Sequence, residues 1–303
     1  MKNKIAAVVV TYNRKVLLRE NIESLLSQKP DVPNILIIDN HSTDGTKEFI
    51  QEYIDNESIE YCDTGDNLGG AGGFSYGIKK ATEEGYDYIW VMDDDCMPAQ
   101  STLDELMKAD RALNGNYGFL SSKVLWKDGS LCTMNRQRDT LTHTIEKLNY
   151  GVKPVVMASF VSLFLPTKIV KEVGLPIKEF FIWTDDWEYT RRISKKYPCY
   201  AVADSVVIHK SKSNIGANIA TESADRLDRF NYLYRNDVYL YRREGIKGFM
   251  YEVVRLSGHC VRVLLKSSNN KKDRIQRILL GTIEGFKFNP AIEYAENTED
   301  RGK

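Results

Sequence analysis

The chain has 303 residues, long enough to bury about three-quarters of its unfolded surface without staples. Lys plus Arg and Asp plus Glu both number 42, so the net charge is zero, which argues against a general nucleic-acid binder. A hydrophobic share of 42% with 28% charged residues excludes a disordered chain.

The first 125 residues alternate strands with helices. Ile5 to Val10 is an unbroken apolar run, the mark of a strand buried on both faces, and is too short for a signal peptide. Leu17, Leu18, Ile22, Leu25 and Leu26 recur at helical spacing, and Pro30 and Pro33 break the chain. Ile35 to Ile38 reads as a second strand, followed by a turn over 40–45 and a helix from Thr46 to Ile54. Ile59 and Tyr61 mark a short strand, residues 69–73 a glycine-dense loop, and Phe74 to Glu84 a helix. Tyr88 to Met92 is another buried strand. Ser101-x-x-Asp104 and Thr102-x-x-Glu105 resemble capping boxes for a helix over 102–113. This alternation implies a mostly parallel sheet with right-handed crossovers.

The middle of the chain is more mixed. Gly118 to Leu125, Val155 to Leu165 and Tyr200 to Ile208 read as strands. Helices are expected after Pro166 and from Asp185 to Lys196. From Phe230 onward the pattern is helical. Residues 242–287 hold 11 Lys plus Arg and 4 Asp plus Glu, so this segment carries +7 and the rest of the chain −7. Phe249, Val253, Leu256, Cys260 and Leu264 form an apolar stripe, with Arg255, His259, Arg262 and Lys266 on another face. A basic amphipathic helix of this kind suits an anionic membrane surface or packs its apolar face on the domain. No run of about 18 apolar residues occurs, so no membrane-spanning helix is expected. Five cysteines without a CxxC pair argue against disulfides or a cysteine zinc site and favour a reducing compartment. Together these readings place the protein in the cytoplasm, where any membrane contact would be peripheral, at the inner face of the cell membrane.

Five constellations carry chemistry. Asp93-Asp94-Asp95 directly follows a buried strand, where side chains enter the crevice in which α/β sheets bind ligands. Three adjacent carboxylates repel one another unless a cation holds them, and hard oxygen ligands suit Mg²⁺ or Mn²⁺. A solvated acidic turn is the plain alternative. Asp39-Asn40 and Asn13-Arg14 end two other strands, so three strands deliver polar groups to one sheet edge; each alone reads equally well as a turn or cap. Asn67 to Phe74 is glycine-rich but is neither GxGxxG nor a P-loop. Trp183-Thr184-Asp185-Asp186-Trp187 places carboxylates among indole rings, as a sugar cleft with a general base does, and also as a helix N-cap does. His209 ends a strand, where it can complete a metal site or simply be structural.

In this order the motifs resemble family 2 glycosyltransferases with the GT-A fold, in particular the bacterial galactofuranosyltransferase and rhamnosyltransferase-like branch. The resemblance runs from Val8 to Arg235. It rests on Val10-Thr11-Tyr12-Asn13-Arg14, Ile38-Asp39-Asn40, the glycine segment, the Asp triplet, Trp183-x-Asp185-Asp186-x-Glu188-Tyr189-x-x-Arg192, His209 and Tyr234-Arg235-Asn236. It implies an α/β, Rossmann-like, mostly parallel sheet flanked by helices over 1–229, with a nucleotide-sugar half (1–125) and an acceptor half (126–229). A basic helical extension follows over 230–303. By this resemblance Thr11, Asn13, Arg14, Asp39, Asn67, Gly70 and Asp94 would line the donor pocket. Asp93, Asp95 and His209 would hold Mn²⁺ or Mg²⁺. Asp186 would be the catalytic base, with Trp183 and Asp185 shaping the acceptor cleft. Thr184 departs from the pattern, in which the tryptophan directly precedes the Asp pair. The implied activity is inverting transfer from UDP-galactofuranose, or alternatively from dTDP-rhamnose, to a lipid-linked glycan, by a chain that is a monomer or a homo-oligomer. Two rival readings are a nucleotidyltransferase and a non-catalytic sugar-binding scaffold in polysaccharide assembly.

Overall fold

The computed structural model describes residues 3–296. Strand β1 (Ile5–Thr11) is buried at every position, as its apolar run predicts. Helix α1 (Lys15–Leu26) buries Leu18, Ile22 and Leu25, and β2 (Asn34–Asp39) follows. The helix expected from Thr46 to Ile54 is two short pieces, α2 (Thr46–Phe49) and α3 (Gln51–Asp55). They part at Ile50, which is fully buried and has left the helical backbone region. Strand β3 (Glu60–Asp63) comes next.

The glycine-dense segment is not a loop. It is the start of α4 (Gly69–Glu83). A Cβ on Gly73 would stand 2.7 Å from Val10 Cγ1, and one on Gly77 would stand 2.4 Å from Val8 Cγ1 and 2.8 Å from Ile38 Cγ1. The glycines therefore bring the helix backbone down onto β1 and β2, where no side chain fits.

Strands β4 (Tyr88–Asp93) and β5 (Cys96–Pro98) precede α5 (Thr102–Ala112). The expected capping boxes are not formed: no side chain caps this helix, and Thr102 Oγ1 donates instead to the Val206 carbonyl at 2.6 Å. Then come β6 (Leu120–Trp126), β7 (Val152–Pro154), β8 (Leu163–Pro166), α6 (Thr167–Val173), α7 (Asp185–Ser194) and β9 (Tyr200–His209). The strand expected over 155–165 is regular only from Leu163 onward, with Met157 making an isolated bridge to Arg138 before it. Ser162 sits in the left-handed region (φ 63°), which breaks the extended chain, and its hydroxyl accepts a 2.8 Å bond from Trp90 Nε1.

The sheet order is β3-β2-β1-β4-β8-β6-β9-β5, with β7 also on β9. The run β3-β2-β1-β4 is parallel, as the alternating pattern predicts. Strand β8 is antiparallel to both β4 and β6, and β6 returns to a parallel pairing with β9. Successive side chains of β1 alternate between two cores. Ala6, Val8 and Val10 pack with Phe74, Ile78 and Ala81 of α4; Ile5, Ala7 and Val9 pack with α1 and with Leu103 and Leu106 of α5.

A helical layer completes the described chain: α8 (Arg229–Arg242), α9 (Gly245–Lys266) and α10 (Lys271–Lys287). A third core joins Phe230 and Tyr234 of α8 to Val263 of α9 and Ile278 of α10. Residues 297–303 of the expected extension lie outside the described residues. The apolar stripe of α9 is divided: Leu256 and Cys260 pack on the third core, whereas Phe249, Val253 and Leu264 are exposed. Of the polar face, Arg255 turns inward to Asp237 Oδ2 at 2.7 Å and to Glu252. His259 also turns inward, with its Nδ1 3.0 Å from the Tyr234 hydroxyl. Two buried carboxylates need a cation, and that need outranks the apolar stripe in setting the helix rotation.

The α4 contact gives a direct test. Gly77→Ala puts a methyl where Val8 and Ile38 already stand, and urea unfolding should show a loss of about 1–3 kcal/mol. An unchanged midpoint would mean that α4 can slide on the sheet.

Candidate functional site

Strand register builds one polar edge. Thr11 pairs with Asp39 across β1 and β2, Asp39 with Asp63 across β2 and β3, and Val10 with Asp93 across β1 and β4. The chain then turns through Asp94 and Asp95 into β5, where Cys96 pairs with His209 at the end of β9. The Lys210 amide donates to the Asp95 carbonyl at 2.8 Å. Strands distant in sequence thus bring Thr11, Asp39, the Asp triplet and His209 to one carboxyl edge.

The triplet is bound tightly. Thr11 Oγ1 donates to Asp94 Oδ2 at 2.7 Å, and Arg14 Nη1 reaches Asp95 Oδ2 at 2.7 Å and Asp94 Oδ1 at 3.3 Å. His209 Nε2 stands 3.0 Å from Asp95 Oδ1, and its Nδ1 is 2.8 Å from Asn135 Oδ1. Burial lifts Asp94 to about 7 against the opposing charge of Arg14. Burial and the charge of Asp95 lift Asp93 to about 6. Burial also works to raise Asp95, but His209 at 3.0 Å, with Arg14, outweighs it and holds Asp95 below its usual range. Burial disfavours the His209 imidazolium, yet Asp95 pushes that ring up to about 10. The edge therefore carries more carboxylates than cations and keeps part of that excess as bound protons.

A second acid pair faces the first. Asp185 and Asp186 open α7, and Asp186 Oδ1 accepts the Trp187 amide at 2.7 Å. Burial raises Asp185 to about 7 and Asp186 well above its ordinary value, and the charge of Asp93 adds to both. The segment before them is strained: Phe181, Trp183 and Thr184 all have φ between 63° and 68°. Helix α8 holds it there. Asn236 Nδ2 donates to the carbonyls of Phe180, Ile182 and Trp183 at 3.0–3.1 Å, and Arg235 Nη2 to that of Glu179 at 2.6 Å. Thr184 Oγ1 donates to Asp237 Oδ1 at 2.6 Å, so the residue that departs from the motif is a tether. The Ala71 amide at the start of α4 donates to the Phe181 carbonyl at 3.1 Å, which ties the two halves of the cleft.

The other residues expected at the site take distinct places. Asp39 is fully buried, accepting Ser42 N and the Tyr61 hydroxyl, both at 2.8 Å. Asn13 is exposed with φ 54° and accepts the Thr43 amide at 2.7 Å. Asn67 Oδ1 accepts the Gly69 amide at 2.9 Å. A Cβ on Gly70 would meet nothing within 4 Å, so no packing demands glycine there. Trp183 is half-buried with its ring 5.3 Å from that of Phe230. Sequence reasoning missed Asn135, Tyr61 and Asp237. Of these only Asp237 left a trace, beside Tyr234-Arg235-Asn236.

Among the described residues no three His, Cys, Asp or Glu side chains form a ready metal cage. Asp95 and His209 nonetheless suit a divalent cation. Asp95 Oδ1 is buried and within ion-pair distance of His209 Nε2, yet no donor is aligned on it. An oxygen and an imidazole nitrogen side by side are an apt pair of ligands, and Asn135 fixes the ring from its far side.

The raised Asp185 gives a pH signature. A carboxyl with a folded value of about 7 and an unfolded value of about 3.9 binds a proton on folding between those limits. Its contribution is complete below the lower limit and is lost as pH rises through the upper. Asp185→Asn should therefore gain stability over the parent from pH 5 to pH 8, read by urea unfolding in chelator. A pH-independent difference would show that Asp185 is charged throughout.

Comparison with known proteins agrees with this geometry. Residues 6–120 match the model of glycosyl transferase family 2. Galactofuranosyltransferase GlfT1 of Mycolicibacterium smegmatis is 25% identical over 259 residues, covering 80% of this chain and 84% of that protein. GlfT1 of Mycobacterium tuberculosis is 32% identical over 97 residues, 31% of each chain. The crystal structure of residues 1–349 of S. aureus TarS with UDP aligns with a TM-score of 0.54 at 15% identity. That alignment covers 94% of this chain and 72% of that one and establishes a common fold. The chain carries a family 2 glycosyltransferase domain and has a GT-A-like α/β fold.

Proposed function

We propose that this chain transfers a sugar, galactofuranose in the favoured reading, from its UDP donor to a hydroxyl of a lipid-linked glycan, with inversion at the anomeric carbon. One observation supports the mechanism: the Asp185–Asp186 pair, at the start of α7, lies close enough to the strand edge for the charge of Asp93 to add to burial in raising both acids. The sugar preference is supported by the likeness to GlfT1 along most of both chains. The donor class is supported by the fold shared with UDP-bound TarS. dTDP-rhamnose is the second donor to be tried.

In this reading Thr11, Asp39 and Asn67 frame the nucleotide, with Asn13, Gly70 and Asp94 beside it. Arg14, half-exposed and spanning two carboxylates, turns its free donors to the diphosphate. Asp95 and His209, with Asp93, would hold Mn²⁺ or Mg²⁺, which supplies charge to neutralise the leaving diphosphate. Asp186 takes the proton of the acceptor hydroxyl. That oxygen attacks the anomeric carbon as the bond to the diphosphate breaks on the opposite face, the bond's electrons leaving with the diphosphate. Trp183 and Asp185 shape the acceptor side. Burial and the charge of Asp185 raise the proton affinity of the Asp186 carboxylate, which favours its taking a proton from the acceptor hydroxyl.

Two measurements test this. Calorimetry with UDP-galactofuranose, UDP-galactopyranose, UDP-glucose and dTDP-rhamnose should show binding of one donor, strengthened by Mn²⁺; a folded protein that binds none overturns the donor assignment. Asp186→Asn should keep donor affinity within about 3-fold and lose about 10²–10⁴ of the transfer rate. Full activity in that variant removes Asp186 as the base, and release of pyrophosphate would favour the nucleotidyltransferase reading.

A further inference from the structure

Helix α9 is apolar on its outward side as well as its inward one. Its inner side carries Leu256, Cys260 and Val263 of the third core beside Glu252, Arg255 and His259. Its outer side carries Ile246, Met250, Val254, Val261 and Leu265, all more than half exposed and four or seven residues apart. A 22-residue helix is about 33 Å long, so this is a continuous apolar band rather than scattered side chains. Helix α10 adds exposed Leu280, Ile283 and Phe286.

Charge indicates what covers this band. Lys247, Arg262 and Lys266 are exposed on α9, and Lys271 and Lys272 follow. The only carboxylate in residues 245–272 is Glu252, which is buried against Arg255. The outer side of α9 is therefore apolar and cationic, with no exposed acid, and the exposed Glu284 of α10 is paired with Arg235 at 3.4 Å. Pairing of α9 with a second copy would set cation against cation. Among the described residues no helix is long and apolar enough to cross a membrane, so the band does not span one. Residues 297–303 contain no large apolar side chain that could cover it.

We propose that the outer side of α9, with that of α10, seats on an anionic lipid surface. The helices lie in the plane of the headgroups, with Met250, Val254 and Leu265 entering the acyl boundary and the lysines meeting lipid phosphates. The assignment is independent of which sugar is moved.

The test uses the full chain with two kinds of vesicle, phosphatidylcholine alone and roughly 3:1 phosphatidylcholine to phosphatidylglycerol. The protein should co-sediment with the anionic vesicles at least about 10-fold more strongly than with the neutral ones, and salt should weaken the binding. The triple variant Met250→Glu, Val254→Glu, Leu265→Glu should lose the binding while keeping its circular dichroism and donor affinity. Val254→Trp should show blue-shifted emission on adding anionic vesicles. Equal sedimentation of parent and triple variant overturns the proposal. So does a parent that ignores both vesicles, or one that forms dimers which the triple variant dissolves without either protein binding lipid; the last result would assign the band to a second copy.

Discussion

The excess of buried negative charge at the carboxyl edge is the constraint on which the rest of the structure depends. Asp93, Asp94, Asp95, Asp185 and Asp186 gather about one cleft, and Arg14 and His209 are the cations bonded there. Such a cluster is unfavourable in isolation, because burial and like charge both oppose ionisation. The fold tolerates it by bonding Asp94, Asp95 and Asp186 to donors and by letting some of the acids retain protons. The same arrangement leaves the site primed for charge of the opposite sign. A cation bound to the diphosphate of a donor would relieve the unfavourable term, so affinity and local stability come from one source.

The segment that leads into Asp185 and Asp186 is held by α8. Glycines of α10 allow the support to sit close: a Cβ on Gly281 would be 2.8 Å from the Asn231 carbonyl oxygen, and one on Gly285 2.7 Å from that of Arg235. The two helices thus pack nearly backbone to backbone, and α8 becomes a stiff rail. From that rail Arg235, Asn236 and Asp237 reach the strained segment ahead of Asp185, while Arg255 of α9 secures Asp237. The candidate base is placed by parts of the chain that lie well outside the matched domain.

Much of this was legible in the sequence, for identifiable reasons. Runs such as Ile5–Val10 have one stable outcome, a strand covered on both faces, and the polar residues ending them must then share an edge. That reasoning located Thr11, Asp39, the Asp triplet and His209. Segment 69–73 misled because glycine permits loops and close packing alike, and only the neighbours Val8, Val10 and Ile38 decide between them. Asn135, Tyr61 and Asp237 were hidden because each acts through long-range contacts with no local pattern. The rotation of α9 stays open in the sequence because a period of 3.6 marks which residues share a face, not which face is inward. Buried Asp237 and Glu252 settled that question, and their burial depends on tertiary contacts.

The tether from Thr184 to Asp237 to Arg255 joins three separate helical segments of the chain, and this has a consequence for synthesis. As the protein leaves the ribosome, the parallel strands and the triplet can assemble before the last helices exist. The segment around Phe181 to Thr184 cannot hold its left-handed backbone until α8 and α9 have emerged and docked. A nascent chain therefore assembles the Asp93–Asp95 edge first and fixes the Asp185–Asp186 pair last. A truncated or half-made chain would carry the first acidic cluster without the second held against it.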